Sequence, residues 1–166
     1  MSQKKYTGAK IVIIGGTGVG KTAFAAPPET VEKNFKWGDG FVFMYSITDK
    51  ESFQEACKLK DILLKVRGQG VPAVLVANKC DLITARNVTE DNGLSLAEQL
   101  DCPKYEISVA DGMSGVSEVM DEIIIQTKRE FVKSLSMLNV EQTEKPRSKL
   151  FKVLKKRIGR SHSDTV

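Results

Sequence analysis

Eight consecutive residues near the start of the chain have the types and spacing of a phosphate-binding loop. They are Gly15, Gly16, Thr17, Gly18, Val19, Gly20, Lys21 and Thr22, which fit the pattern G-x-x-x-x-G-K-[ST]. Glycines let the backbone wrap around a phosphate with its N–H groups pointing inward. The Lys21 ammonium is the candidate catalytic group because it would reach the terminal phosphates, and the Thr22 hydroxyl is a candidate Mg²⁺ ligand. A glycine-rich turn with an incidental lysine is the alternative, which the apolar strand before the loop disfavours.

A second polar motif, Asn78-Lys79-Cys80-Asp81, directly follows the apolar run Pro72–Ala77. A carboxylate at Asp81 could accept hydrogen bonds from both N1–H and N2–H of guanine, a pair of donors that adenine does not offer. Asn78 and the aliphatic stem of Lys79 could pack beside the base and brace the phosphate loop. The alternative is a polar turn after a strand. The motif therefore indicates a guanine site, with moderate specificity when taken alone.

Four short predicted strands, the first three of them apolar runs, alternate with helical patterns and would position these motifs. The predicted strands are Ile11–Ile14, Phe41–Ile47, Pro72–Ala77 and Lys104–Ser108, and the predicted helices cover about Thr48–Val66, Thr89–Leu100 and 116–138. A capping box of Thr48 and Glu51 is expected to open the first of these helices. Pro27-Pro28 is expected to end any helix that starts at Lys21. This alternation predicts an α/β domain with a parallel sheet, whose carboxyl edge is where such proteins bind ligands.

Composition and charge place the chain among globular proteins and confine its basicity to one segment. Hydrophobic residues make up 41% and charged residues 28%, which argues against disorder over most of the length. The formal net charge of +4 comes from residues 145–160, which contain eight basic residues and no acid: Lys145, Arg147, Lys149, Lys152, Lys155, Lys156, Arg157 and Arg160. Three cysteines without C-x-x-C spacing indicate neither a disulfide framework nor a zinc site. We expect a cytoplasmic protein, since no signal peptide or membrane span is apparent.

The order and positions of the motifs resemble the Ras family of small GTPases over about residues 8–135. Ser108-Val109-Ala110 follows the fourth predicted strand, where the family has a Ser-Ala-Lys loop. The stretch Trp37–Phe53 is similar to the region of the family's fourth strand, most of all in the branch of Ras-related, estrogen-regulated growth inhibitors and Ras-like proteins. The resemblance implies a P-loop NTPase fold, a three-layer α/β sandwich. It places a G domain at residues 8–140 and a basic tail at 141–166.

The resemblance also implies a ligand set and an activity. The ligands would be GTP or GDP with Mg²⁺, and the reaction would be GTP hydrolysis in signal transduction. Guanine would lie on Asn78, Lys79 and Asp81, and the backbone amide of Val109 would meet its carbonyl oxygen, with Ser108 and Ala110 completing the loop. Val109 and Ala110 depart from the family's usual alanine and lysine. A P-loop ATPase or kinase remains the alternative, which the guanine motif disfavours.

The segment that would sense the γ-phosphate and orient the water that attacks it has no counterpart in this chain. Asn78 follows Lys21 by only 57 residues, and no D-x-x-G motif occurs anywhere in the sequence. In the family this segment holds two strands, a Mg²⁺-binding switch threonine and a glutamine that orients the attacking water. Its absence predicts a sheet of about four strands with the first at an exposed edge, slow or no hydrolysis, and weak switching. An alternative transcript, an incomplete gene model and a nucleotide-binding decoy would each account for it.

The basic tail suggests a partner other than the nucleotide. Leu150, Phe151, Leu154 and Ile158 have helical spacing among basic residues after Pro146, which is expected to break any preceding helix. Residues 147–160 could therefore bind an anionic membrane surface or a calmodulin-like partner, and a solvated disordered tail is the alternative. This would place the protein peripherally at the inner face of the plasma membrane. No cysteine follows Cys102, so no prenyl anchor is expected, and nothing indicates sequence-specific nucleic-acid binding. A non-hydrolysing binding or scaffold module that acts through this tail or through the exposed sheet edge is the second functional hypothesis.

Overall fold

The computed structural model describes residues 6–16, 28–112 and 114–158. Strands and α-helices alternate along the chain: β1 (Ile11–Gly15), α1 (Pro28–Trp37), β2 (Gly40–Ser46), α2 (Lys50–Arg67), β3 (Ala73–Asn78), α3 (Glu90–Leu100), β4 (Lys104–Ile107) and α4 (Ser114–Ile158). Short 3-10 turns lie at Ile83–Ala85 and Val109–Asp111. The chain divides into two compact units, Met1–Lys128 and Arg129–Val166. The end of the G domain at residue 140, which the sequence analysis gave, stays a prediction. Among the described residues, no helix is both long and apolar enough to cross a membrane.

The strands of the first unit form one parallel sheet in the order β1-β2-β3-β4. Ile13 pairs with Val42, Phe43 with Leu75, and Val76 with Tyr105, each in parallel register. The predicted four-stranded parallel sheet is therefore confirmed. Because every connection returns to the same end of the sheet, the loops that follow the four strands share one edge. β1 is a terminal strand of this sheet, as the sequence predicted.

Helices cover both faces of the sheet, which gives the predicted three layers. On one face, Phe41, Phe43 and Tyr45 of β2 pack in a cluster with residues of α1, α2 and α3. On the other face, Val42, Val74 and Val76 pack with Val119 and Ile123 of α4. All six residues of β3 are buried, because this strand has helices on both sides. Burial on two faces explains why β3 is a continuous apolar run up to Asn78 at its end and does not alternate with polar residues.

The helix α1 begins at Pro28, so this proline opens a helix. Proline suits the first helical turn because its missing N–H would have had no partner there. Val31 and Phe35 face the core, and the last turn is fixed by Arg67 of α2, whose Nη1 donates to the carbonyl oxygens of Phe35 and Gly38, at 2.8 Å each. The helix start predicted at Lys21–Ala26 lies outside the described residues.

Two predicted helix boundaries were wrong. The N-cap of α2 is Asp49, not Thr48: its carboxylate accepts the Glu51 N–H at 2.9 Å. The Thr48 hydroxyl is instead engaged with Ser46 Oγ at 2.9 Å, so it is not available to cap the helix. The helix predicted to end near residue 138 continues to Ile158 and passes through Pro146. A proline ring holds φ at about −65°, a helical value, so the helix can continue through Pro146 at the cost of one backbone hydrogen bond.

Candidate functional site

The phosphate-loop motif starts at the carboxyl end of β1. Gly15 is the last residue of the strand and Gly16 follows it, buried. The remaining predicted loop residues, 17–22, lie outside the described part of the chain. A Cβ on Gly16 would lie 2.8 Å from Glu55 Oε2 and 3.2 Å from Ser52 Cα. A side chain at Gly16 would therefore be tightly confined: the Glu55 carboxylate could move aside, but the backbone of Ser52 on α2 would have to shift by a few tenths of an ångström.

Ser52 fixes the start of α2 against the end of β2. Its hydroxyl accepts the Ser46 N–H at 3.0 Å and donates to the Asp49 carbonyl oxygen at 2.8 Å, and its side chain is almost fully buried. These bonds hold the first turn of α2 beside the beginning of the phosphate loop. Sequence reasoning missed this contact because a serine in a helical pattern gives no signal of what lies across the sheet edge.

Asn78 is the residue that joins the two loops of the predicted base site. It ends β3 and is only 3% exposed. Its Oδ1 accepts hydrogen bonds from the backbone N–H of Lys79 at 2.8 Å and from that of Val109 at 3.2 Å. One buried amide oxygen thus connects the loop after β3 to the loop after β4, which are 31 residues apart in sequence. The structure assigns Asn78 a positioning role between these loops.

The backbone turns sharply after Asn78 and brings Asp81 to the surface. Lys79 has a φ of +64°, in the left-handed region that residues with a Cβ rarely adopt. The Cys80 N–H donates to the Ile107 carbonyl oxygen at 3.2 Å, and the Leu82 N–H donates to the Lys79 carbonyl oxygen at 3.0 Å. Asp81 is exposed at the outside of this turn. Its carboxylate is therefore accessible to a ligand at the carboxyl edge of the sheet.

The third predicted segment, Ser108–Ala110, lies beside this turn. Ser108 Oγ is buried and makes no hydrogen bond among the described residues. The Val109 N–H, which the family resemblance directs at a guanine carbonyl oxygen, already donates to Asn78, so a ligand oxygen would have to share it. Ala110 is exposed. The segment thus offers an unpaired hydroxyl and an exposed backbone next to Asn78.

The sequence did not reveal an ion pair that supports the loop after β3, residues 79–86, which is called the base loop below. Arg86 donates through Nη1 and Nη2 to the two oxygens of Glu106, at 3.2 and 2.8 Å, and Lys104 donates to the same carboxylate at 2.9 Å. The guanidinium bonds, assisted by Lys104, lower the pKa of Glu106 to about 2. Arg86 closes the loop that begins at Lys79, and Glu106 is on β4. The pair therefore ties the base loop to the neighbouring strand.

The spacing of the two motifs along the sheet edge suits an elongated ligand. The phosphate loop follows β1 and the base motif follows β3, with β2 between them. Two strand spacings separate these strands, which is about 10 Å. A ligand with phosphates at one end and a flat base at the other could reach both motifs. The described residues contain no cluster of three or more histidine, cysteine or acidic side chains suited to a metal.

Comparisons with known proteins agree on one family. The profile of the Ras family matches residues 29–129, a range that contains Asn78–Asp81 and Ser108–Ala110 and begins after the phosphate loop. The bovine (Bos taurus) Ras-related and estrogen-regulated growth inhibitor is 36% identical over 108 residues, covering 63% of this chain and 54% of the relative. Mouse (Mus musculus) GTP-binding protein Rit1 is 37% identical over 71% of this chain and 53% of its own length.

A further relative extends the match. Rat (Rattus norvegicus) Ras-like protein family member 11A is 32% identical over 136 residues, which cover 81% of this chain and 56% of the relative. The chain therefore spans about half the length of the curated relatives that it matches.

Proposed function

Because this chain belongs to the Ras family of small GTPases, we propose that it binds GDP or GTP at the carboxyl edge of its sheet. The observation that carries this proposal is the exposed Asp81 carboxylate on a turn that Asn78 ties to the loop after β4. An accessible carboxylate with both oxygens available is what recognition of two adjacent N–H donors requires.

Each part of the nucleotide has residues to contact it in this proposal. The phosphates lie on Gly15–Thr22, where Lys21 supplies a positive charge and the Thr22 hydroxyl is one ligand of Mg²⁺. The base lies between Lys79 and the segment Ser108–Ala110, with its N–H groups on Asp81. The buried, unpaired Ser108 Oγ supports this arrangement, because an orphaned hydroxyl beside the proposed base site has a hydrogen bond left to make.

A titration of GDP into the purified chain with Mg²⁺ tests nucleotide binding, and competition tests the base. We expect GTP to displace labelled GDP and ATP to leave it bound even at high excess, since adenine lacks the paired donors that Asp81 accepts. Equal displacement by ATP would show that the guanine assignment is wrong. Failure of the chain to bind any of the three nucleotides would overturn the proposal as a whole.

We further propose that hydrolysis is slow and switching weak in this form. Lys21 and Asn78 are too close in sequence for the segment that orients the attacking water and senses the γ-phosphate, and no D-x-x-G motif occurs. Without those groups, GTP and GDP make few different contacts that could drive a change of shape.

We expect GTP hydrolysis under single-turnover conditions to be no faster than in the Lys21→Ala variant. An intact Ras-family GTPase assayed in parallel is the positive control, since it must show hydrolysis under the same conditions. A rate more than about threefold above that of the variant would mean that this chain has a catalytic group outside the family pattern.

A scaffold role is the second candidate, and the position of β1 favours it. β1 is a terminal strand, and Ile13 on it is 40% exposed, so an apolar strand edge faces outward among the described residues. Such edges invite pairing with another chain. A chain that binds GDP without hydrolysing GTP, and that self-associates or captures a strand, would fit this role.

The tail and the cellular location remain predictions from the sequence. We propose a cytoplasmic protein whose basic segment, residues 147–160, contacts an anionic membrane surface or a calmodulin-like partner. The support for this proposal is the charge of the segment and its helical spacing.

A further inference from the structure

The base loop is a run of overlapping tight turns. The backbone N–H groups of Leu82 and Ala85 each donate to the carbonyl oxygen three residues earlier at 3.0 Å, and that of Arg86 does so at 3.2 Å. Asp81 lies inside the first of these turns. Because each turn shares residues with the next, a contact that fixes the end of the loop also restricts the backbone that carries the Asp81 carboxylate.

Both ends of the base loop are fixed to β4. At its start, the Cys80 N–H donates to the carbonyl oxygen of Ile107, the last residue of the strand, at 3.2 Å. At its end, the Arg86 guanidinium donates to both oxygens of the Glu106 carboxylate at 2.8 and 3.2 Å. Two parallel hydrogen bonds fix the direction of a guanidinium as well as its distance. The two side chains are only 24% and 26% exposed, so water and salt screen the pair incompletely.

The backbone after Arg86 holds the same end of the loop from β2. The N–H groups of Asn87 and Val88 donate to the Ile47 carbonyl oxygen at 2.8 and 2.9 Å. These bonds do not involve the guanidinium, so they would remain in a variant that lacks it. Removal of the guanidinium is therefore expected to loosen the loop without detaching it.

We propose that Arg86 is a positioning residue for base recognition, which holds the Asp81 carboxylate in the orientation that accepts both guanine donors. The inference rests on the proposed function. With the guanidinium on Glu106, the turn presents both carboxylate oxygens to the base together. Without it, the loop also adopts orientations in which only one guanine N–H is bonded. Arg86 therefore controls how well the site distinguishes a base with two donors from a base with one.

The test compares the dissociation constants of GDP and inosine diphosphate, both with Mg²⁺, for the unchanged chain and for Arg86→Met. The base of inosine has the N1–H of guanine but lacks the N2 amine, so it offers Asp81 one donor of the pair. We expect Arg86→Met to weaken GDP about tenfold and inosine diphosphate about threefold or less, so that the preference for GDP decreases by at least about threefold. Arg86→Lys keeps the charge but cannot make the two-point contact, so its preference should lie between those of the unchanged chain and Arg86→Met.

The matched control is Arg129→Met, an exposed arginine on α4, which should leave the preference for GDP unchanged. If Arg86 only stabilised the fold, Arg86→Met would lower the melting temperature and weaken both nucleotides by the same factor, which would overturn the inference. If Arg86→Met does not fold, Arg86→Lys decides, and a preference equal to that of the unchanged chain would overturn the inference.

The same measurements separate this inference from the proposed function. An unchanged preference in an Arg86→Met chain that binds GDP would overturn the inference and leave the proposed function intact. Equal affinity of the unchanged chain for the two nucleotides would show that Asp81 does not accept both donors, and the inference would be wrong together with the base assignment. Absence of nucleotide binding by the unchanged chain would overturn the proposed function, and this inference with it.

Discussion

Replacing Asp81 with asparagine is expected to lower the affinity for GDP by at least about 100-fold. The carboxylate would accept two charge-assisted hydrogen bonds from guanine, each worth about 1.5–3 kcal/mol. Asparagine keeps one acceptor and turns its NH₂ group toward the second guanine N–H, so one bond is replaced by a contact between two donors. Isothermal titration of GDP with Mg²⁺ measures the loss directly.

The same substitution should hardly affect folding, because Asp81 is exposed and its side chain makes no ion pair or hydrogen bond among the described residues. We expect the melting temperature to stay within about 2 °C. The matched control is Asp121→Asn, an exposed aspartate on α4, which should bind GDP like the unchanged chain. A decrease in GDP affinity of less than about threefold for Asp81→Asn would show that other residues recognise guanine.

Replacing Asn78 with alanine is expected to destabilise the fold by about 2–3 kcal/mol, in contrast to the change at Asp81. The substitution removes the shared acceptor of the Lys79 and Val109 N–H groups and leaves two backbone donors without a protein partner. Thermal unfolding should show a decrease in melting temperature of about 5–10 °C. GDP binding should weaken as well, because the loops that carry Asp81 and Ser108 lose their common anchor.

Asn92→Ala is the matched control, since Asn92 is exposed on the first turn of α3 and its side chain is not part of either loop. Its melting temperature should change by no more than about 2 °C. If Asn78→Ala were as stable as this control, the bridge between the two loops would contribute no net stability. Its proposed positioning role would then be wrong.

The Asp81 and Asn78 variants separate binding of the base from support of the site. Asp81 is exposed and acts on the ligand, whereas Asn78 is buried and acts through two loops. The hydrolysis experiment asks a different question, because it concerns the segment that the chain lacks. It tests whether a chain that keeps the motifs for both ends of a nucleotide can still activate the attacking water.

The sequence alone determined the class of fold and the positions of the motifs. β3 could be predicted because a strand buried on both faces is apolar along nearly its whole length, here at every position before Asn78, and that pattern is local. The shortening of the segment before β2 could also be inferred from the sequence, because it follows from the number of residues between the two motifs. With the strand order of the family, that deletion predicted a four-stranded sheet with β1 at its edge.

Only the tertiary structure decided how the motif residues are held. The bridge from Asn78 to Val109 and the close approach of α2 to the backbone at Gly16 join residues distant in sequence, so they depend on strand order and register, which no local pattern encodes. The cap at Asp49 was decided in the same way, because the neighbouring Thr48 hydroxyl bonds to Ser46 at the end of β2. The sequence thus located the residues that would touch a nucleotide, and the packing of β1, β2 and α2 showed how closely α2 approaches the start of the phosphate loop.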